Sequence, residues 1–518
     1  MTVMSAQQAV GGAADKDQRP GSGEVLQRAA RSTALSFAGA MISGLAGFGL
    51  SLILGRMIGP EGNGIVFQMI SVFMIASAFA KLGLDTTCVW LLPRLSLDDR
   101  NDVRRATWML LGGAVAGGLV AGVVVFLLAP FLSGGHPELL SLLQLGALFV
   151  PVASLSTVAL AATRGLGGIR PYVLIGSIGL PTARLAGVAI ALAFAASALI
   201  AGLVWLTVLL IAVIFSLIAV GRRLRPYDGA SGPARQRRVL ARQISAYSVP
   251  RLAASIMEQS ILWMDVLIVG LIAGPAAAGV YGVVSRLAQA GFIPSTSMRI
   301  VVAPQFSRML HQNHLPELAD FYARTTQWIT LMSTPVYVIF IIQPKPILGI
   351  FGDGFSEGAL ALVIASIGAV IWTSAGNVQS LLLMSGRSGW AALNKLIVLL
   401  VALTLLLTLV PSWGVEGAAL AWSISMVLDA ALAILVTRLA VRVRAHPGGT
   451  LLAFVCAGVS TAIPVLLSRL LLGDTIIAVA VGVVGAGVLY VGVLYLLRER
   501  FALHYALTVF ARRKSKPI

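Results

Sequence analysis

Two long apolar runs near the start of the chain meet at Gly55-Arg56-Met57-Ile58-Gly59-Pro60-Glu61-Gly62-Asn63-Gly64. Two later apolar runs meet at Gly270-Leu271-Ile272-Ala273-Gly274-Pro275-Ala276-Ala277-Ala278-Gly279, in which the proline and its flanking glycines keep the same spacing. Each copy predicts a helix that ends, a Gly-Pro turn, and a second helix that starts beside a glycine able to approach another backbone closely. The duplication predicts a chain built from two similar halves.

The composition excludes an ordinary soluble protein. Hydrophobic residues make up 58% of the 518 residues and charged residues only 11%, against about 25% charged in a typical soluble domain. A bundle of membrane helices needs apolar side chains both inside and outside, whereas a soluble domain needs a polar surface. The sequence therefore predicts an all-α, polytopic membrane protein.

Apolar stretches of about 20 residues, the length that crosses a bilayer, predict about 14 transmembrane helices in two six-helix lobes plus two C-terminal helices. Prolines inside these stretches, Pro181 among them, permit bends. The predicted spans include 63–91, 277–306 and 357–384. The predicted division is a cytoplasmic polar tail (1–32), an N-terminal lobe (33–221), a basic cytoplasmic loop (222–246), a C-terminal lobe (247–437), two additional C-terminal helices (438–497) and a basic cytoplasmic tail (498–518).

The 38 lysines and arginines outnumber the 20 acidic residues, which gives a net charge of +18. Most of the basic residues fall on one side of the predicted spans, and the positive-inside rule assigns that side to the cytoplasm. We therefore expect both termini to be cytoplasmic. The arginines between residues 222 and 242 are expected to fix orientation or to contact anionic lipid, rather than to bind nucleic acid.

The first turn, Arg56 to Gly64, resembles the Arg-x-x-Gly-Pro-Glu-x-x-Gly signature of oligosaccharide flippases (Wzx-like, polysaccharide synthase family) of the multidrug/oligosaccharidyl-lipid/polysaccharide exporter superfamily. Met264 to Gly270, followed by Gly279-Val280-Tyr281, resembles the counterpart of that signature in the second half. Asn63 and Val66 depart from it, because the family usually has aromatic residues there. A second repeated segment follows the fourth and tenth spans, as Arg164 to Gly168 and as Ser385 to Gly389.

The resemblance implies two lobes that form a V around a central cavity in the bacterial cytoplasmic (inner) membrane. It implies alternating access that carries a polyprenyl diphosphate-linked oligosaccharide from the cytoplasmic to the periplasmic leaflet, for surface polysaccharide export. No cofactor is implied beyond proton or sodium coupling. The implied partners are that lipid-linked oligosaccharide, membrane lipids, and a polysaccharide polymerase with its export machinery.

Ionisable residues inside the spans are the candidate site residues, because a charge in the bilayer is costly unless it meets water or a partner. Arg251, Glu258 and Asp265 are spaced by seven residues, which places them on one stripe of a helix. Arg184 and Arg286 fall near the middle of their spans. Arginine suits a diphosphate because it stays charged and presents several donors in a planar fork.

We therefore predict that Arg184, Arg286 and Arg251 bind substrate. Glu258 and Asp265 are predicted either to bind the coupling ion or to pair with other groups for structural reasons. Lys395 and Asp429, on the eleventh and twelfth spans, form either a second site of that kind or a structural pair. No residue is predicted to be catalytic or to bind a metal.

Other functions remain open at this stage. A peptidoglycan lipid II flippase fits the same charges, and a cation-coupled small-molecule or drug antiporter would have a more acidic cavity. A membrane glycosyltransferase or polysaccharide polymerase fits less well, because it needs an acid, base or metal assembly in outward loops and the predicted outward loops are short. The chain also lacks a Gly-x-x-x-x-Gly-Lys-Ser/Thr phosphate loop. We therefore expect a transporter that is not an enzyme.

Overall fold

The computed structural model describes residues 22–98, 100–228, 237–441 and 447–501, and these ranges are helical and contain no strand. We call residues 22–228 the first half and residues 237–441 the second half. The helices are α1 Ser22–Ala80, α2 Leu84–Asp98, α3 Arg100–Leu132, α4 Pro137–Gly165, α5 Ile169–Pro171, α6 Leu180–Phe194, α7 Ala198–Leu224, α8 Arg237–Ala290, α9 Ile293–His311, α10 Leu315–Ile342, α11 Pro344–Gly349, α12 Ala359–Ser374, α13 Val378–Met384, α14 Ser388–Val436, α15 Pro447–Leu472 and α16 Ile476–Leu496.

Within the described ranges, eleven helical stretches are long and apolar enough to cross a bilayer. Three of these contain a glycine with a non-helical backbone: Gly59 (φ 68°, ψ −175°) in α1, Gly274 (φ 88°, ψ 171°) in α8 and Gly414 (φ 51°, ψ −125°) in α14. Each such glycine divides one stretch into two arms. The arms together with the unbroken helices agree with about 14 spans, and the all-α polytopic membrane fold is confirmed.

The two arms of α8 fold back on each other at Gly274. A straight helix would separate Asp265 and Tyr281 by about 24 Å. Instead, the Tyr281 hydroxyl donates a hydrogen bond to Asp265 Oδ2 over 2.8 Å. The positive φ of Gly274 lies in the region that favours glycine, so the Gly-Pro motif marks the turn of a helical hairpin.

The two copies of the repeated Gly-Pro motif contact each other in the structure. Gly59 and Gly274 adopt nearly the same backbone conformation. A Cβ atom on Gly64 would collide with the carbonyl of Pro275, and a Cβ atom on Gly279 would collide with the carbonyl of Pro60. Each half therefore contributes an equivalent proline and glycine to this contact, and the backbones of the two halves pack directly against each other.

Asn63, which departs from the motif, strengthens this crossing. Its side-chain Nδ2 donates a hydrogen bond of 3.0 Å to the carbonyl of Gly279. Nearby, Arg56 Nε donates to the carbonyl of Ile350 over 2.7 Å. The first Gly-Pro turn is thus tied to the second half by side-chain hydrogen bonds as well as by close packing.

Three predicted spans are interrupted. The span 63–91 breaks between α1 and α2, where Gly83 has a φ of 70°. The span 277–306 breaks between α8 and α9 at Gly291, and the span 357–384 breaks between α12 and α13, where Gly376 has a φ of 61°. Each break occurs at a glycine inside an apolar run, so apolar length alone does not reveal it.

The bend predicted at Pro181 takes the form of a π-helix over Tyr172–Gly179, directly before α6. Proline lacks the backbone N–H and its ring crowds the carbonyl four residues earlier. A wider turn with hydrogen bonds to the fifth residue relieves that crowding. The two copies of the second repeated segment, 164–168 and 385–389, behave alike, since Gly167 (φ 80°) and Gly386 (φ 77°) both follow the end of a helix in the left-handed conformation.

Helix ends differ from the predicted boundaries. α1 begins at Ser22 and α8 at Arg237, so parts of the predicted tail 1–32 and loop 222–246 are helical. Residues 1–21, 229–236 and 502–518 lie outside the described residues. The start of α8 packs on the first half, because Leu240 and Ile244 join a buried cluster with residues of α2 and α3. The division into two lobes stays a prediction.

Candidate functional site

Arg184 lies on α6 against α7. Its guanidinium carbon is 3.4 Å from the centre of the Trp205 ring, and its Nε donates a hydrogen bond of 3.1 Å to the Trp205 carbonyl. The side chain is half-buried, and among the described residues it has no acidic partner. The stacked ring holds the guanidinium plane in place, and no described residue accepts a hydrogen bond from its terminal nitrogens.

Arg286 lies on the second arm of α8 and faces the first arm. Its guanidinium carbon is 4.0 Å from the centre of the Trp263 ring and 5.8 Å from that of Phe67, a residue of the first half. Its Nη1 is 3.4 Å from Gln289 Oε1. Asp265 interacts with it electrostatically, so part of its charge is balanced within the protein.

The predicted stripe on α8 passes from exposed to buried positions. Arg251 and Glu258 are exposed, and neither has an ion-pair partner among the described residues. Asp265 is only 4% exposed and accepts hydrogen bonds from the Tyr281 hydroxyl and from the Val266 amide. Arg251 also lies against Gly83 of the first half. The Asp265 carboxylate thus joins the two arms of the α8 hairpin through Tyr281, and the roles predicted for Asp265 and Glu258 stay predictions.

Lys395 and Asp429 are brought together across the two arms of α14. Lys395 Nζ is 2.8 Å from Asp429 Oδ1, and the aspartate is 1% exposed. Trp372 Nε1 lies 3.3 Å from Asp429 Oδ2, and Asn394 Nδ2 lies 3.4 Å from Oδ1. This aspartate is held by several donors at once, an arrangement that suits a structural pair.

The described contacts do not join Arg184 directly to Arg286. Both sites adjoin the second arm of α1, because Phe73 packs edge-on against Trp205 with ring centres 5.4 Å apart, and Phe67 lies beside Arg286. Six residues separate Phe67 from Phe73, which is about 9 Å along a helix. It stays a prediction that Arg184 and Arg286 bind the same diphosphate.

The sequence reasoning missed a strip of polar side chains beside Arg286. Gln259, Trp263 and Gly270 lie within about 40° of each other around α8, and Gln68 of the first half packs on Gly270. Three side-chain atoms there are buried and lack a hydrogen-bond partner among the described residues: Gln259 Oε1, Trp263 Nε1 and Gln68 Nε2. A search for ionisable residues passes over such neutral groups, although their helical spacing is visible in the sequence.

The described residues contain no group of three or more histidine, cysteine, aspartate or glutamate side chains arranged to hold a metal ion. The two cysteines, Cys88 and Cys456, are free.

Sequence comparison relates the chain to polysaccharide biosynthesis. The model of a family described as polysaccharide biosynthesis protein matches residues 53–360. A curated relative, the probable low-salt glycan biosynthesis flippase Agl15 of Haloferax volcanii, is 25% identical over 200 residues. That alignment covers 37% of this chain and 41% of the relative, so it spans less than half of either protein.

Structural comparison relates the fold to known transporters. The structure of the lipid II flippase MurJ in an inward closed conformation superposes with a TM-score of 0.68 at 13% identity, over 90% of this chain and 99% of that one. An inward-facing multidrug resistance MATE transporter of the MOP superfamily gives 0.64 at 14% identity, over 79% of this chain and 98% of that one. At these identities the similarity is one of fold.

Proposed function

The chain belongs to the polysaccharide biosynthesis protein family, and from this premise we propose that it is a flippase for a lipid-linked oligosaccharide. It carries a polyprenyl diphosphate-linked oligosaccharide from the cytoplasmic to the periplasmic leaflet of the bacterial inner membrane by alternating access. Its product serves surface polysaccharide export. A relative that shares part of the sequence is named as a glycan biosynthesis flippase, which supports the proposal.

The observation that carries the proposal is the half-buried Arg184. A guanidinium within a span is expensive unless it faces water or an anion, and the described residues supply Arg184 with no acid. A diphosphate would supply the missing negative charge and would accept hydrogen bonds from the free terminal nitrogens. Trp205 presents that fork in a fixed orientation.

The polar strip beside Arg286 supports a sugar-bearing cargo. Buried polar groups without partners are costly and need an explanation. In a conformation that opens this strip, Gln259, Trp263 and Gln68 would offer an acceptor and two donors, and the hydroxyl groups of a sugar match both kinds. The Trp263 ring adds an apolar face next to those groups. Arg286 itself, with Asp265 nearby, attracts an anion less strongly than Arg184 does.

Alternating access requires a contact that closes one side of the protein. The crossing of Gly64 and Gly279, with the hydrogen bonds of Asn63 and Arg56, lies at the Gly-Pro turns. The positive-inside rule places those turns on the periplasmic side. We infer that these contacts close the protein toward the periplasm while cargo enters from the cytoplasm.

Binding of a polyprenyl diphosphate-linked disaccharide to the purified protein tests the proposal. Arg184→Ala removes a charge-assisted contact worth about 1.5–3 kcal/mol, so the affinity is expected to fall tenfold to more than a hundredfold, roughly. Arg286→Ala is expected to weaken binding less. Arg184→Lys should restore binding only in part, because it keeps the charge and loses the planar fork.

Arg308→Ala is the matched control, because Arg308 is an exposed arginine near the end of α9. It should bind the lipid-linked disaccharide like the parent protein. Melting temperatures show whether each variant is folded. If folded Arg184→Ala and Arg286→Ala both bind with the parent affinity, the arginines are structural and the proposed binding site is wrong.

A further inference from the structure

A separate cavity lies between the second half and α15, and neither Arg184 nor Arg286 lines it. It has a volume of about 410 Å³ and is lined by α10, α12, α13, the end of α14 and the start of α15. This volume lies within the range of about 300–1,000 Å³ that is typical of small-molecule sites. These helix ends are on the side that the positive-inside rule assigns to the cytoplasm.

Most of the wall is apolar. Val370 and Ile371 of α12, Ile434 of α14, and Leu451 and Phe454 of α15 line it. Ile371, Leu451 and Phe454 are among the exposed large hydrophobic residues. The cavity therefore opens toward the hydrocarbon of the membrane, and a hydrocarbon chain can enter it without crossing water.

One end of the cavity is polar and basic. Arg438 is exposed there and has no acidic partner among the described residues. Thr437 is only 2% exposed, and its buried Oγ1 has no hydrogen-bond partner in the part of the chain that the structure describes. Asp320, an acidic residue two positions before the lining residue Tyr322, is already paired with Arg324 over 2.7 Å. The Tyr322 hydroxyl is also occupied, because it donates to the Ala375 carbonyl over 2.6 Å.

We propose that this cavity binds an anionic phospholipid of the cytoplasmic leaflet, with one acyl chain inside the cavity and the phosphate against Arg438 and Thr437. Among the described residues, the Arg438 guanidinium has no acidic partner and the Thr437 hydroxyl has no hydrogen-bond partner, and this polar end next to an apolar cavity matches the headgroup and the acyl chain of such a lipid. The site is independent of the proposed cargo site. Because α15 forms one wall, the lipid fastens α15 to α10 and α12.

The test uses the full-length protein, purified in detergent and depleted of lipid. Phosphatidylglycerol and phosphatidylcholine with identical acyl chains are titrated separately, and binding is followed by melting temperature and by native mass spectrometry. Phosphatidylglycerol should raise the melting temperature in a saturable manner, whereas phosphatidylcholine should bind more weakly. Arg438→Ala should lower the affinity for phosphatidylglycerol about tenfold, which corresponds to about 1.4 kcal/mol.

Ser374→Phe tests the cavity itself, because Ser374 lines it and its hydroxyl donates to the Val370 carbonyl of its own helix. The phenyl group should fill the space and abolish lipid binding. If this variant does not fold, Leu451→Trp narrows the cavity from an exposed position. Arg308→Ala, which changes an exposed arginine outside the cavity, should behave like the parent.

Three results would overturn the proposal. The first is equal affinity for phosphatidylglycerol and phosphatidylcholine. The second is an unchanged affinity in folded Arg438→Ala. The third is a preference for undecaprenyl phosphate over phosphatidylglycerol at matched concentration, which would make the cavity a site for the carrier lipid and not for a membrane phospholipid.

Discussion

At the scale of single residues, the Asp429 carboxylate is a buried charge that is stabilised by an ion pair and by hydrogen bonds. It is almost fully buried and pairs with Lys395, while Trp372 and Asn394 also donate to it. Lys395→Met leaves that charge without its cation, and breaking a buried pair from one side costs about 3–5 kcal/mol. We predict a marked fall in melting temperature for the purified protein.

The exposed pair Asp320–Arg324 provides the control for this prediction. Exposed ion pairs contribute about 0–1 kcal/mol, so Asp320→Asn should leave the melting temperature nearly unchanged. The double variant Lys395→Met with Asp429→Leu removes both charges and should recover much of the loss. A single Lys395→Met variant that melts like the parent would show that Lys395 is not needed to hold Asp429.

Glu258 differs from Asp429 because it is exposed and has no ion-pair partner among the described residues. A carboxylate in a span is tolerated when it faces a water-filled space. A coupling ion would pass through such a space. We predict that Glu258→Gln weakens the dependence of transport on the proton or sodium gradient in vesicles. Asp353→Asn, in a loop predicted to lie outside, should retain the parent dependence. An unchanged dependence in Glu258→Gln would assign Glu258 to helix packing.

The sequence was sufficient to identify the charged residues of the candidate site and insufficient to predict which side chains surround them. Arg184 and Arg286 stand out because charged residues are rare in apolar runs. Trp205 and Trp263, which stack on these arginines, are uncharged residues inside apolar runs, and nothing in the sequence shows that they contact an arginine. Whether an arginine stacks, pairs or points into open space depends on the packing of whole helices.

At the scale of helices, the close contact between the two Gly-Pro turns predicts that no larger residue fits at Gly64. Gly64→Ala places a methyl group against the Pro275 carbonyl, a backbone atom that cannot move aside. The variant should be strongly destabilised or should change the conformation in which the protein rests. Melting temperature and protease accessibility of the loops measure both effects.

Gly112→Ala on α3 is the matched control, because nothing lies within 4 Å of the position of its added Cβ. The change from glycine to alanine in a helix is favourable by about 1 kcal/mol or less, so this variant should be as stable as the parent or slightly more so. If Gly64→Ala behaves like Gly112→Ala, the close crossing is absent in the membrane.

Helix positions were easier to predict than helix continuity. The predicted spans correspond to helices because apolar length is set by bilayer thickness. The breaks at Gly83, Gly291 and Gly376 were missed, since a turn buried among other helices stays apolar. The Gly-Pro turns were found because the motif occurs twice. A repeated motif can be recognised in a sequence, whereas a backbone conformation cannot.

At the scale of the whole molecule, the predicted orientation can be tested by labelling with a membrane-impermeant maleimide in intact cells. Cys88 and Cys456 are first replaced by alanine. Asp353→Cys, in the outer loop after α11, should be labelled, whereas Gln312→Cys, after α9, should be labelled only once the membrane is opened; both positions are exposed. The opposite pattern would reverse the assignment that rests on the positive-inside rule.

The contact between Gly64 and Gly279 has the geometry of an isologous interface, in which two subunits of a dimer offer identical surfaces to each other. Each half carries both the proline carbonyl and the glycine that receives it. A peptide bond between the halves is therefore not required to specify how they meet. Residues 1–228 and 237–518 produced as two separate polypeptides should assemble and copurify, and Gly279→Leu in the second polypeptide should prevent that assembly.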